Sequence, residues 1–91
     1  MTRPVVYLAH PVSAPTVVGI HENLRRAKRW QWALRCATDW AVTVPWAASV
    51  EAALAAGVDE PTERARGMAD NLAVLDRCDG LVGCGGRWSS G

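Results

Sequence analysis

Three short apolar runs set the limits on what this chain can fold into: Val5-Val6-Tyr7-Leu8-Ala9, Val42-Thr43-Val44 and Leu81-Val82-Gly83-Cys84. Each is too short for a stable helix. The first is continuously apolar, as a strand buried on both faces must be. The stretches between the runs carry helical rather than alternating patterns, and both are long. Strands joined in this way pair in parallel through right-handed crossovers, because parallel neighbours cannot be linked by a tight turn. The chain reads as β-α-β-α-α-β.

The punctuation fits that order. His10-Pro11 ends the first run, and Pro11 and Pro15 are expected to hold the segment from Pro11 to Gly19 out of helix. A long helix is predicted from Glu22 to Asp39, with Asn23, Ala27, Trp30, Leu34, Ala37 and Ala41 along one face. Pro45-Trp46 stops the second strand, Ser49 is placed to cap a short helix through Ala56, and Gly57 suits a left-handed C-terminal position. Val58 to Glu60 reads as a loop. A third helix is predicted to start at Pro61, with Glu63 favouring its positive end, and to run to Cys78. Ala65, Met68, Leu72 and Leu75 form its apolar stripe, and Gly80 ends it.

Size and composition narrow the class. Ninety-one residues make one domain with a modest core, spanning 1–91 with no internal repeat or linker. A chain that is 49% hydrophobic and 21% charged is neither disordered throughout nor fibrous. No apolar run approaches the roughly 20 residues that cross a bilayer, and the start has no secretory apolar core, so a soluble, cytoplasmic protein without a membrane partner is expected. A net charge of +1 gives no electrostatic reason to expect nucleic acid as partner. Cys36, Cys78 and Cys84 are odd in number and lack a CxxC spacing, so they read as small hydrophobes in a reducing compartment.

The fold class is α/β, a Rossmann-like three-layer sandwich with a short parallel sheet. Ligands in such sheets sit outside the carboxyl ends of the strands, where His10 to Ser13, Pro45-Trp46 and Gly85 to Gly91 would gather. A three-stranded sheet has two open edges, which leads to the expectation of a homo-oligomer or of further chain after Gly91.

Four groups of residues are candidates for chemistry. Gly83 to Gly91 leaves a strand with backbone N–H groups and the Ser89 and Ser90 hydroxyls able to cradle an anion, although it is neither a Walker loop nor a GxGxxG; a plain terminus is the competing reading. Asp76 reads as a solvated helix residue and Asp79-Gly80 as a turn, whereas Asp70 and Asn71 reach the carboxyl edge only if their helix leans across it. His10 ends the first strand, where ligands bind, and His21 starts the long helix; no spacing supplies a third metal ligand. Arg25, Lys28, Arg29 and Arg35 surround Trp32 opposite the apolar stripe, which reads either as a basic, aromatic patch for phosphate or nucleic acid or, more simply given the net charge, as cationic stems over an indole or a dimer contact.

Taken together, these segments resemble the nucleoside 2-deoxyribosyltransferase and nucleotide N-glycosidase superfamily. Val6-Tyr7-Leu8-Ala9-His10-Pro11 is similar to its opening strand, and the helix from Asn23-Leu24 through Ala27 to its first helix. Asp70-Asn71-Leu72-Ala73-Val74-Leu75-Asp76-Arg77-Cys78-Asp79 resembles its Asp-Leu…Asp segment, and Ser89-Ser90-Gly91 resembles its Ser-x-Gly turn. The resemblance implies that Tyr7 and His10 line the base and sugar pocket and that Ser89 and Gly91 contact a 5′-phosphate. It also implies that Asn71, with Asp70 beside it, takes the place of the supporting acid. The family's essential Glu, on the helix after Ser-x-Gly, would lie beyond Gly91, so the C-terminal part of the fold is absent from this sequence. The implied function is binding of a nucleotide or nucleoside whose base such enzymes cleave or transfer, with no cofactor and no metal. The alternative is a non-catalytic nucleotide-binding or protein-interaction module.

Overall fold

Strand β1 (Val5–Ala9) lies in the middle of a three-stranded sheet ordered β2-β1-β3, with β2 (Ala41–Thr43) on one side and β3 (Gly80–Gly83) on the other. Both pairings are parallel, with Tyr7 opposite Thr43 on one side and Leu81 on the other. The computed structural model describes residues 3–57 and 61–85. Helix α1 (Val17–Ala37) connects β1 to β2, and helices α2 (Pro45–Ala56) and α3 (Pro61–Asp76) connect β2 to β3. The molecule is a small α/β fold with three helices and a short parallel sheet, consistent with a Rossmann-like sandwich.

The first crossover runs from β1 to one side and the second returns past β1 to the other. Right-handed connections then put α1 and α3 on opposite faces. Burial agrees. Tyr7 and Leu8 are successive strand residues pointing to opposite faces, yet their exposures are 8% and 0%. With Leu24 and Ala27 of α1 and Trp46 and Ala47 of α2 they form the core. Helix α2 packs on α3 and is tied to α1 by the ion pair of Lys28 with Glu51.

Helices α1 and α3 end at Ala37 and Asp76, short of the expected Asp39 and Cys78, and two helices start earlier than expected. Helix α1 starts at Val17 rather than Glu22, because Thr16 takes an extended conformation and its hydroxyl accepts from Gly19 N at 3.1 Å, satisfying one of the unpaired first-turn donors. Helix α2 starts at Pro45, so Ser49 lies inside it and caps nothing. Proline fits there because the first helical residue needs no N–H. Gly57 ends α2 with φ +68°, the left-handed conformation expected of it.

The helices are also rotated relative to the predicted stripes. On α1 the inward residues are Ile20, Leu24, Ala27 and Leu34, while Trp30 and Ala37 are exposed. On α3 they are Val74 and Leu75, with Cys78 just beyond, while Ala65, Met68 and Leu72 are exposed. Both helices hold two overlapping apolar sets a fraction of a turn apart, and packing on the sheet selects one.

The amino edge is closed by backbone and one carboxylate. Asp79 donates its N–H to Val5 O at 2.7 Å, and its Oδ2 accepts from Val5 N at 2.8 Å. Arg3 Nε donates to Asp39 O at 2.8 Å on the same edge. On the outer side of β2, Gln31 of α1 donates to Val42 O at 3.0 Å, so that edge is partly covered.

Candidate functional site

The carboxyl end of β1 is built differently toward its two neighbours. Toward β2, Ala41 N donates to Pro4 O at 2.8 Å, so stepping the parallel ladder by two residues sets position 45 against Leu8 O. Position 45 is a proline, which has no N–H. The strand stops at Thr43, and the buried indole of Trp46 supplies the missing donor, Nε1 to Leu8 O at 2.9 Å. The predicted gathering of Pro45-Trp46 at this edge holds, with Trp46 serving as a buried plug.

Toward β3 the ladder runs one step further, Cys84 N donating to Ala9 O at 2.9 Å. The chain then turns at Gly85 with φ +95°, a conformation that side-chain-bearing residues rarely adopt. A Cβ at Gly85 would lie 2.8 Å from His10 Nε2 and 3.0 Å from Pro11 Cδ. Only glycine lets the backbone come this close to the imidazole. His10 Nδ1 lies 2.6 Å from Pro11 O. A carbonyl oxygen only accepts, so in the neutral ring Nδ1 carries the hydrogen and Nε2 keeps its lone pair. The loop from His10 to α1 is held by Asn23, whose Nδ2 donates to Val12 O at 3.1 Å and Ser13 O at 3.4 Å.

The carboxyl ends of β1 and β3 lie side by side at the edge where open α/β sheets bind ligands. His10, Pro11, Cys84 and Gly85 meet there. Burial pushes the Cys84 thiol above its usual pKa, so it stays protonated at neutral pH and is a poor nucleophile. Among the described residues no cluster of His, Cys, Asp and Glu is arranged to hold a metal ion.

The remaining sequence-predicted residues lie elsewhere. Tyr7 sits in the core, and burial raises its phenol pKa, with the Cys78 thiol adding to the rise. Asp70 is exposed and Asn71 half-buried, six and five residues before the end of α3. At about 1.5 Å per residue, Asp70 is about 9 Å along the axis from the helix end that leads to the amino edge, against a span of about 13 Å for β1. That sets both residues partway up the sheet, short of the edge where His10 lies. Ser89 and Gly91, with Gly86, Arg87, Trp88 and Ser90, lie outside the described residues, as does the expected loop of Val58 to Glu60.

Three contributors were not assigned to the site from sequence. Asn23 fell in the apolar stripe of α1 although it is the only amide there. Trp46 was placed at the edge without a partner, and the ladder register with Pro45 is the signal that gives it one. Gly85 was one glycine among many in the tail, and nothing local distinguishes the one whose Cα faces an imidazole. In comparison with known proteins, no family model, curated protein or solved structure matches the chain.

Proposed function

We propose that this protein binds a nucleoside or nucleotide at the carboxyl end of β1 and β3, in the manner implied by its resemblance to the nucleoside 2-deoxyribosyltransferase and nucleotide N-glycosidase superfamily. The observation that carries the reading is the approach of Gly85 to His10 at the carboxyl ends of β1 and β3. His10 Nε2 has the lone pair to accept a hydrogen bond from an amino or hydroxyl group of the ligand. The backbone leaving Gly85 would take the phosphate, with Ser89 and Gly91 as the groups that the resemblance assigns to it.

Base cleavage needs a carboxylate at the anomeric carbon. Asp79 is engaged at the amino edge and Asp70 stands partway along α3. The described residues therefore support the binding reading, and the sugar-orienting role that the resemblance gives Asp70 and Asn71 is not used in it. Thermal melts of the protein with a panel of nucleosides and their 5′-monophosphates test the binding claim. At a concentration 100 times Kd a ligand stabilises by about 2.7 kcal/mol, a readily measured shift. Release of free base in the same mixtures tests the catalytic extension. No shift with any member at millimolar concentration overturns the reading.

A second reading, a protein-interaction module that self-associates, is favoured by a different observation. Met68 and Leu72 of α3 are 66% and 63% exposed, and Leu81 of the edge strand β3 is 57% exposed. Exposed apolar side chains of this size, with β3 at the edge of the sheet among the described residues, suit an interface. Light scattering that gives the mass of a single chain at 100 µM sets this reading aside. For membranes, no described helix is long and apolar enough to cross one.

A further inference from the structure

The charge of this chain is not spread evenly. Helix α1 carries Arg25, Arg26, Lys28, Arg29 and Arg35 against the single acid Glu22, a net +4 in a chain whose total is +1. The rest of the molecule is therefore net acidic, and the near-neutral total conceals a cationic face. The structure decides where that face points. With Leu24 and Ala27 buried, the opposite side of α1 is centred on Arg25, Arg29 and Trp32, flanked by Lys28 and Arg35, and all five are exposed. Trp32 stands at the middle of it, 63% exposed, with the Arg35 guanidinium 5.1 Å from its ring centre.

We propose that this face of α1 binds single-stranded nucleic acid, the cations following the phosphates and Trp32 stacking on a base. Cations in a row with an aromatic among them are what a sequence-tolerant single-strand site needs. Arg35 lies over the indole, and a residue 63% exposed retains ring surface on which a base can stack. The acids nearest the face do not cancel it. Glu22 pairs with Arg25 and Arg26, and Glu51 with Lys28, but every pair is at the surface, where such bridges are worth little and phosphate competes readily. Arg29 and Arg35 make no ion pair among the described residues. A membrane surface fits less well. An interfacial helix must bury its apolar side in lipid, and here Ile20, Leu24, Ala27 and Leu34 are packed against the protein's own core. A duplex fits less well because a paired base offers no free face to stack on Trp32.

The test is fluorescence anisotropy of the full chain with a fluorescein-labelled single-stranded RNA of mixed sequence, at 50 and 200 mM salt. If three to five phosphates are neutralised, affinity falls by about 20- to 100-fold between the two salt concentrations. Trp32→Ala is expected to weaken binding about ten-fold or more, and Trp32→Phe to keep most of it. Arg29→Gln with Arg35→Gln should flatten the salt dependence. All of these residues are exposed, so the variants should melt within a few degrees of the parent. The proposal is overturned by absence of binding, or by binding that Trp32→Ala leaves unchanged. It is also overturned by equal affinity for a duplex or for polyglutamate, or by binding to phosphatidylserine vesicles but not to RNA. Mononucleotide melts report on the His10 edge alone, so failure there and failure here are distinguishable.

Discussion

The two sides of the carboxyl end of β1 receive the same backbone and treat it in opposite ways. Toward β2, a proline removes the next ladder donor, and the Trp46 indole fills its place at Leu8 O, leaving the position buried and satisfied. Toward β3, the ladder continues to Cys84 and then turns at Gly85 against His10. The first side is filled by a large side chain, whereas on the second the lack of one lets the backbone pack against His10. The contrast separates residues that hold the sheet from the residues at which a ligand is proposed to bind.

The largest effect should come from the filled side. Trp46→Ala removes a core aromatic and is expected to cost about 3–5 kcal/mol in urea denaturation. Trp46→Phe keeps most of the volume but leaves Leu8 O unpaired, for about 1–3 kcal/mol. If Trp46→Phe unfolds at the parent's midpoint, the indole bond is not what closes this side. Gly85→Ala should cost less, about 1–3 kcal/mol, from its positive φ and from contact with His10. Combining it with His10→Ala should recover part of that loss. A coupling energy in this double-mutant cycle below about 0.5 kcal/mol would show that the two residues do not meet. Gly85→Ala should also abolish any nucleotide-dependent melting shift, whereas Trp46→Phe should leave one intact.

Smaller effects sharpen the comparison at the opposite edge. Asp79→Ala removes the acceptor for Val5 N–H and should cost about 0.5–1.5 kcal/mol without touching ligand binding. The pH dependence follows from two groups whose pKa values are raised by burial, Cys84 and Tyr7. A raised folded-state pKa means that the unfolded chain loses the proton first. The stability associated with these groups is therefore fully present below their ordinary values, 9.0 and 10.0, and is lost as pH rises through their folded-state values. Melting temperature should fall from about pH 9 upward, and Cys84→Ala with Tyr7→Phe should flatten that fall. An unchanged slope in the double variant would assign the alkaline loss to other groups.

Much of this molecule was legible in its residues because local chemistry dictates it. The continuous run Val5 to Ala9 had to be a strand covered on both faces, Gly57 had to end a helix, and long helical connections had to give parallel pairing. That reasoning brought His10 and Pro45-Trp46 to one edge. It failed where two local answers were nearly equal. Met68 and Leu72 fit one apolar stripe of α3 as well as Val74 and Leu75 fit another, and Thr16 competed with the two prolines over where α1 begins. Tyr7 lies in the core, and the face a strand residue occupies does not say whether it also meets a ligand.

By itself the sequence determined the alternation of strand and helix, the parallel sheet, and the segments that could stand at its carboxyl edge, since these depend on period, propensity and chain punctuation. Only the tertiary structure decided that β1 is central and which helix stripe turns inward. It alone matched Trp46 to Leu8 O, brought Gly85 against His10, and turned the basic side of α1 to solvent. Those outcomes join residues far apart in the chain, and their energies depend on register and packing that no local pattern encodes.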